Sequence, residues 1–280
     1  IASTLRTLRH ADGGLARFDG GGRGLEGRLD HALAASGVKT RAPDGLSMGY
    51  ARLSAGRTSV IVDAAPPPRG AASVNAHASA LAFELTSGRR PLIVNCGSGV
   101  SFGAEWRRVG RATPSHSTLV IAGQSCARLK RGGTYPEPLA QGPRDVPVKM
   151  SQAPDGLRFE GGHDGYGAEF GLIHGRRLEV TFDGRGLAGE DLIVAIRESQ
   201  KKRFDKARAS LEMDGIPFDI HFHLHPDVDA ALDMGGTAVS MALKSGEIWV
   251  FRGDGETELS LEQSVYLEKN RLKPRATKQI

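Results

Sequence analysis

The chain of 280 residues carries a formal charge of +5 and only two cysteines, Cys96 and Cys126. That length supports one or two domains with a core that needs no covalent staple, and two thiols exclude both a disulfide framework and a four-cysteine zinc site. The 37 glycines and 14 prolines follow no Gly-x-y period, which excludes collagen and favours many tight turns over long helices.

No apolar run approaches the ~18 residues of a membrane span, and the first residues lack the basic-then-apolar pattern of a signal peptide. The opening isoleucine is expected of a processed chain or of part of a longer protein. Leu5 and Leu8 read as the end of a helix, and Asp19-Gly20-Gly21-Gly22 as a loop. Leu25, Leu29, Ala32 and Leu33 share one helical face, with Gly37 as its stop. After Pro43-Asp44-Gly45 the period changes to two. Strands are predicted at 59–62, 92–94 and 119–121, and where Leu178, Val180 and Phe182 oppose Glu179 and Thr181. Further strands are predicted at Ile220, Phe222 and Leu224, at Val239, Met241 and Leu243, at 248–251, and at Val265 and Leu267. Pro66-Pro67-Pro68 is an extended connector, and residues 126–152 read as a long loop. Short strands without helical crossovers predict an all-β fold, an antiparallel sandwich or barrel.

The basic runs at Arg197 to Arg208 and from Glu268 onward read either as solvated faces or as contacts for an anionic ligand. An acidic polymer suits them better than nucleic acid, because no aromatic residues are interleaved for base stacking. His77 and His116 lie too far apart in sequence for a local metal motif, and partly buried histidines bonded to backbone are the plainer reading. His221, His223 and His225 are predicted on one face of a single strand, too widely spaced to share an ion without distortion, and a polar sheet face with Pro226 ending the strand is the plainer reading. Asp164 either orients His163 or belongs to a simple turn. Arg176 and Arg177 either clamp a ligand carboxylate or pair with Glu179 and Glu190. Trp106, Arg107, Arg108 and Arg111 combine an aromatic plate with bidentate anion donors, the chemistry needed to stack on a sugar and grip a uronate. Ser115 and His116 are neighbours and face apart, so they make no dyad.

The run NAHASALAFELTSGRRPLIVNCGSG followed by WRRVGRATPSHSTLVI resembles the C-terminal region of heparinase II/III-type polysaccharide lyases. That region shows His-x-His-Ala-Asp-x-Leu-x-Phe, a strand ending in Asp-x-Gly, and Arg-x-Thr-x-x-His-x-Thr. The resemblance extends through His163-Asp164-Gly165-Tyr166, His174-Gly175-Arg176-Arg177, Gly189-Glu190-Asp191 and His223-Leu224-His225-Pro226.

It implies a large antiparallel β-sandwich over 46–280, preceded over 1–45 by the end of an α/α toroid, with the polysaccharide in the cleft between them. It further implies β-elimination on a uronate polymer, with the catalytic base in an N-terminal toroid missing from this chain, so that the chain alone is expected to be inactive. None of Tyr50, Tyr135, Tyr166 and Tyr266 matches the toroid's catalytic tyrosine. By position, His77, Asn95 and His116 correspond to the ligands of a zinc ion, and Asn75 to a histidine at the substrate. Asn95 replaces an aspartate and weakens that zinc site; Asn75 can hydrogen-bond a uronate without shuttling a proton. Asn75 and Arg111 are the expected catalytic-site residues, and Trp106, Arg107 and Arg108 the expected contacts to an anionic polysaccharide. A periplasmic or envelope location follows from the resemblance, as does the alternative of a degenerate glycan-binding or structural module.

Overall fold

Apolar residues at every second position form antiparallel strands in a computed structural model that describes residues 1–38, 45–130, 132, 136–211, 215–268 and 271–280. Pro43, Asp44 and Tyr135 lie outside the described residues. The largest sheet has eight strands in the order Gly45–Ser47, Tyr50–Ala55, Thr58–Asp63, Phe83–Ser87, Arg90–Val94, His223–Leu224, Arg275–Gln279 and Glu262–Tyr266. Its first five strands are a meander and its last three return from the far end of the chain. A second sheet runs Leu187–Val194, Ile173–Thr181, Gly156–His163 and Val148–Gln152, and a third pairs Asp229–Asp233, Ala238–Ala242 and Ile248–Arg252.

One apolar core joins the three. Leu53, Val60, Val62, Phe83 and Leu92 of the large sheet meet Phe159, Leu178 and Val180 of the second and Val239 and Met241 of the third. The architecture is the antiparallel sandwich that the period-two pattern predicts. Two hairpin tips lock together where Gly56 and Gly184 touch: a Cβ on Gly56 would lie 2.2 Å from the Asp183 carbonyl oxygen, and one on Gly184 2.1 Å from that of Ala55. Both residues have positive φ, so only glycine fits.

Helices Ala2–Thr7 and Arg28–Ala35 precede the first strand, as expected, and Leu33 is buried while Leu25 lies exposed ahead of its helix. Three expectations need correction. The single strand through 220–224 is two strands in different sheets, Phe218–Ile220 and His223–Leu224, because the chain crosses between sheets at 221–222. The loop at 126–152 contains Arg128–Leu129, Leu139–Gln141 and Val148–Gln152 as strands. Phe182 lies just beyond Ile173–Thr181 and is exposed. The basic run at 197–208 forms most of helix Glu198–Ser210, which buries none of its side chains.

Polar side chains tie the second sheet to the irregular segments at Leu81 and Ser117. Arg176 grips Asp191 at 2.8 and 2.9 Å, and its Nη1 donates to the Leu81 and Ser117 carbonyls at 3.0 Å each. His174 bonds Asp191 at 2.6 Å and His163 at 3.1 Å. Arg176 therefore holds a carboxylate of this chain, not a ligand's, and Arg177 pairs with Glu160 and Glu190. Asp164 accepts from the Arg144 amide, so it does not orient His163.

Against the opposing push of burial, Arg176 and His174 hold the Asp191 carboxyl well below its ordinary range. Burial lowers His163 and His174, takes His223 down to about 3 and His225 to about 4. An unfolded chain thus takes up protons that the folded one refuses. Stability is full above pH ~6.5 and falls as the pH drops towards 4, by up to about 1.4 kcal/mol per pH unit for each such histidine. Thermal melts should show a midpoint several degrees lower at pH 5 than at pH 7.5, and an unchanged midpoint would contradict the buried neutral imidazoles. Asp191→Ala strands the buried Arg176 charge and should cost about 3–5 kcal/mol in urea unfolding.

Candidate functional site

Residues 76–82 are buried yet belong to no strand, so their carbonyls need donors from elsewhere. The 3-10 turn Gly70–Asn75 delivers this segment, and the turn Thr113–Ser115 delivers residues 116–118 beside it. His77 and His116 meet there, with His77 Nδ1 at 3.0 Å from His116 Nε2. His116 Nδ1 lies 2.8 Å from the Ala112 carbonyl oxygen. That carbonyl fixes the proton on His116 Nδ1, makes His116 Nε2 the acceptor and His77 Nδ1 the donor, and leaves His77 Nε2 a lone pair. Burial lowers both groups, His116 to about 4 and His77 well below its ordinary value, so the pair is neutral at physiological pH.

Asn95 is fully buried at the end of Arg90–Val94. Its Oδ1 accepts from the Ser117 amide at 3.0 Å and its Nδ2 donates to the Arg17 carbonyl at 3.4 Å. The side chain thus bridges two stretches of backbone. Its backbone amide donates to Glu84, which pairs with the buried Arg17 at 3.3 Å. The donor set does not fit zinc. Two imidazoles satisfy each other, the amide oxygen serves a backbone N–H, and among the described residues no three His, Cys, Asp or Glu side chains converge as a metal site would require.

A second polar cluster lies alongside, unsuspected from the sequence. Asp19 accepts from the His77 amide and from the Tyr50 hydroxyl, each at 2.9 Å. Ser79 donates to the buried Asp63 at 2.6 Å, and burial together with the Asp19 charge pushes the Asp63 carboxyl well above its ordinary value. Asp19 adopts a positive φ of 48° ahead of Gly20, whose added Cβ would lie 3.9 Å from His77 Nε2. The glycine run after Phe18 is the one sequence signal of this close approach.

The structure distributes the expected anion contacts differently from the sequence reading. Helix Ala104–Gly110 holds Trp106, Arg107 and Arg108. Arg107 is buried and donates to the Val74 carbonyl and, at 3.3 Å, to Asn75 Oδ1. Arg111 is buried and donates to the carbonyls of Ala76, Glu137 and Ser73 at 2.8, 2.7 and 2.8 Å. Arg108 pairs with Glu137. Trp106 is half-buried, and Asn75 is exposed with its amide oxygen turned to Arg107. Arg107 and Arg111 act as struts for residues 73–76, because buried irregular backbone offers carbonyls that guanidinium groups can satisfy.

The fold recurs in known proteins. The sequence model of the family described as "Heparinase II/III-like, C-terminal" matches residues 37–280. FtsZ-localized protein C of Caulobacter vibrioides is 32% identical over 262 residues, a match that covers 91% of this chain and 43% of that protein. The structure of heparan sulfate lyase HepC from Pedobacter heparinus superposes with a TM-score of 0.66 at 15% identity, over 98% of this chain and 41% of that one. A heparinase III structure superposes with a TM-score of 0.68 at 12% identity, over 99% and 44%. The chain spans less than half the length of each of these relatives. It belongs to the heparinase II/III-like family, and what it contains is that family's C-terminal sandwich.

Proposed function

We propose that this chain is the sandwich of a heparinase II/III-like envelope protein that holds an anionic polysaccharide without eliminating it, beside an N-terminal helical toroid. The observation behind this reading is the direct His77 to His116 hydrogen bond, with Asn95 engaged by backbone on both sides of its amide. Elimination needs a carboxylate neutralised, a base for the C5 proton and an acid for the leaving oxygen. Asn75 supplies none of these proton transfers, and the buried neutral imidazoles face each other. Zinc has no place in this reading. A location beside FtsZ is supported by the relative named FtsZ-localized protein C.

The second reading is the family's lyase activity, with the base in the toroid and the sandwich forming one wall of the cleft. Family membership supports it, as does the likeness to two structures whose names are heparan sulfate lyase and heparinase III. In either case Arg107→Ala and Arg111→Ala report on folding of the 73–76 turn before they report on binding.

The readings separate on the full-length protein. Hyaluronan, heparan sulfate, chondroitin and alginate should each be retained in affinity electrophoresis at low salt and released as salt rises, with no absorbance from an unsaturated uronide. A steady rise in that absorbance would establish the lyase instead. Elemental analysis should find well under one zinc per chain, unchanged by His116→Gln. One zinc per chain that disappears in the variant would restore the metal site.

A further inference from the structure

A cavity of about 170 Å³ opens beside the site, between the 21–25 loop and the turn after Arg90–Val94. Arg17, Arg23, Gly22, Gly24, Gly97 and Glu268 are among its walls. Gly97 has a φ of 103°, and a Cβ there would lie 2.5 Å from the Leu267 carbonyl oxygen, so the absence of a side chain is what lets the two walls close.

Arg17 is more than nine-tenths buried, and one face of its guanidinium is accounted for. Nη1 donates to Glu84 at 3.3 Å, and the group lies 5.4 Å from the centre of the Tyr266 ring. Nη2 is buried and, among the described residues, has no hydrogen-bond partner. Native proteins pair nearly all such donors, so two buried N–H bonds of a permanent cation beside a cavity mark a missing acceptor. Arg23 adds a second guanidinium, held among the described residues by the Asp12 carbonyl at 3.3 Å and its carboxylate at 3.6 Å. The one acid in the wall, Glu268, is paired with Arg271 at 3.0 Å.

We propose that this cavity is an oxyanion subsite, in which Arg17 and Arg23 together bind a single carboxylate, sulfate or phosphate group. Its volume lies well below the ~300 Å³ of a drug-sized pocket, which suits one charged group or one sugar unit. Bidentate guanidinium geometry suits a planar carboxylate best, so a uronate unit of the polymer is the preferred source. That choice of source rests on the polysaccharide reading above; the oxyanion chemistry does not.

The test is amide NMR of the chain titrated separately with glucuronate, inorganic phosphate and glucose. Glucuronate should shift the amides of Gly22, Gly24 and Gly97, with affinity falling as salt rises, and glucose should leave them in place. Phosphate binding equal to that of glucuronate would support the subsite and assign it to free anions. Arg23→Ala, whose side chain is partly exposed, should weaken either anion roughly tenfold without altering the thermal midpoint. Arg17→Gln should abolish binding, and its folding is checked by the same spectra, because the change leaves Glu84 buried without its counter-ion. Anions that shift these amides no more than glucose does, or that bind Arg23→Ala as tightly as the parent chain, would overturn the subsite. Polymer retained by both variants as by the parent would overturn it while leaving the polysaccharide reading intact. Anion binding at the cavity without polymer retention would do the reverse.

Discussion

Buried irregular backbone is the constraint on which the site depends. Residues 76–82 cross the edge of the core outside any strand; backbone amides take the Ser79 and Ala82 carbonyls, and a carbonyl left unpaired in such a place costs as much as a lost hydrogen bond. Side chains supply further donors. Arg111 serves Ser73 and Ala76, Thr113 serves Ala78 at 2.8 Å, Thr118 serves Ala80 at 3.4 Å, and Arg176 serves Leu81. Ser117 bonds the Val94 carbonyl at 2.7 Å, which closes the framework onto the large sheet.

That framework explains why residues with reactive chemistry hold structural posts. A guanidinium in solvent is free to meet a uronate; the same group saturated by three carbonyls has its donors fixed in direction. The histidines follow the same rule, since desolvation keeps them neutral and neutral imidazoles bond well to each other and to backbone. Asn95, where the family resemblance implies a carboxylate, belongs to this pattern. An aspartate there would need a cation or a further donor, whereas an amide matches one N–H and one carbonyl without carrying charge.

Arg17 stands apart from this closed set. It shares Glu84 with the framework through one nitrogen and, among the described residues, leaves the other without a partner at the wall of the cavity. The site therefore has two halves of different character: a satisfied histidine and asparagine pair inside, and an unsatisfied cation at the wall of a cavity.

The period-two alternation determined the sandwich by itself where a strand is buried on one face, as Leu178 and Val180 are against Arg177 and Glu179, whereas Val60, Ile61 and Val62 form a continuous apolar run buried on both faces. The motifs around His77 and His116 likewise placed the chain in its family, since they are contiguous in sequence. Only the tertiary structure decided what those residues touch. The carbonyls that occupy Arg111 come from residues 73, 76 and 137, and Asn95 is bracketed by residues 17 and 117. The helix at Glu198–Ser210 also escaped the sequence reading, because it packs only Phe204 and Ala207 against the core, partly buried, which is too little for an apolar stripe. Hydrogen-bond partners so distant in sequence leave no spacing to read, so whether a basic or imidazole group is free for a ligand is settled by which buried backbone it must satisfy first.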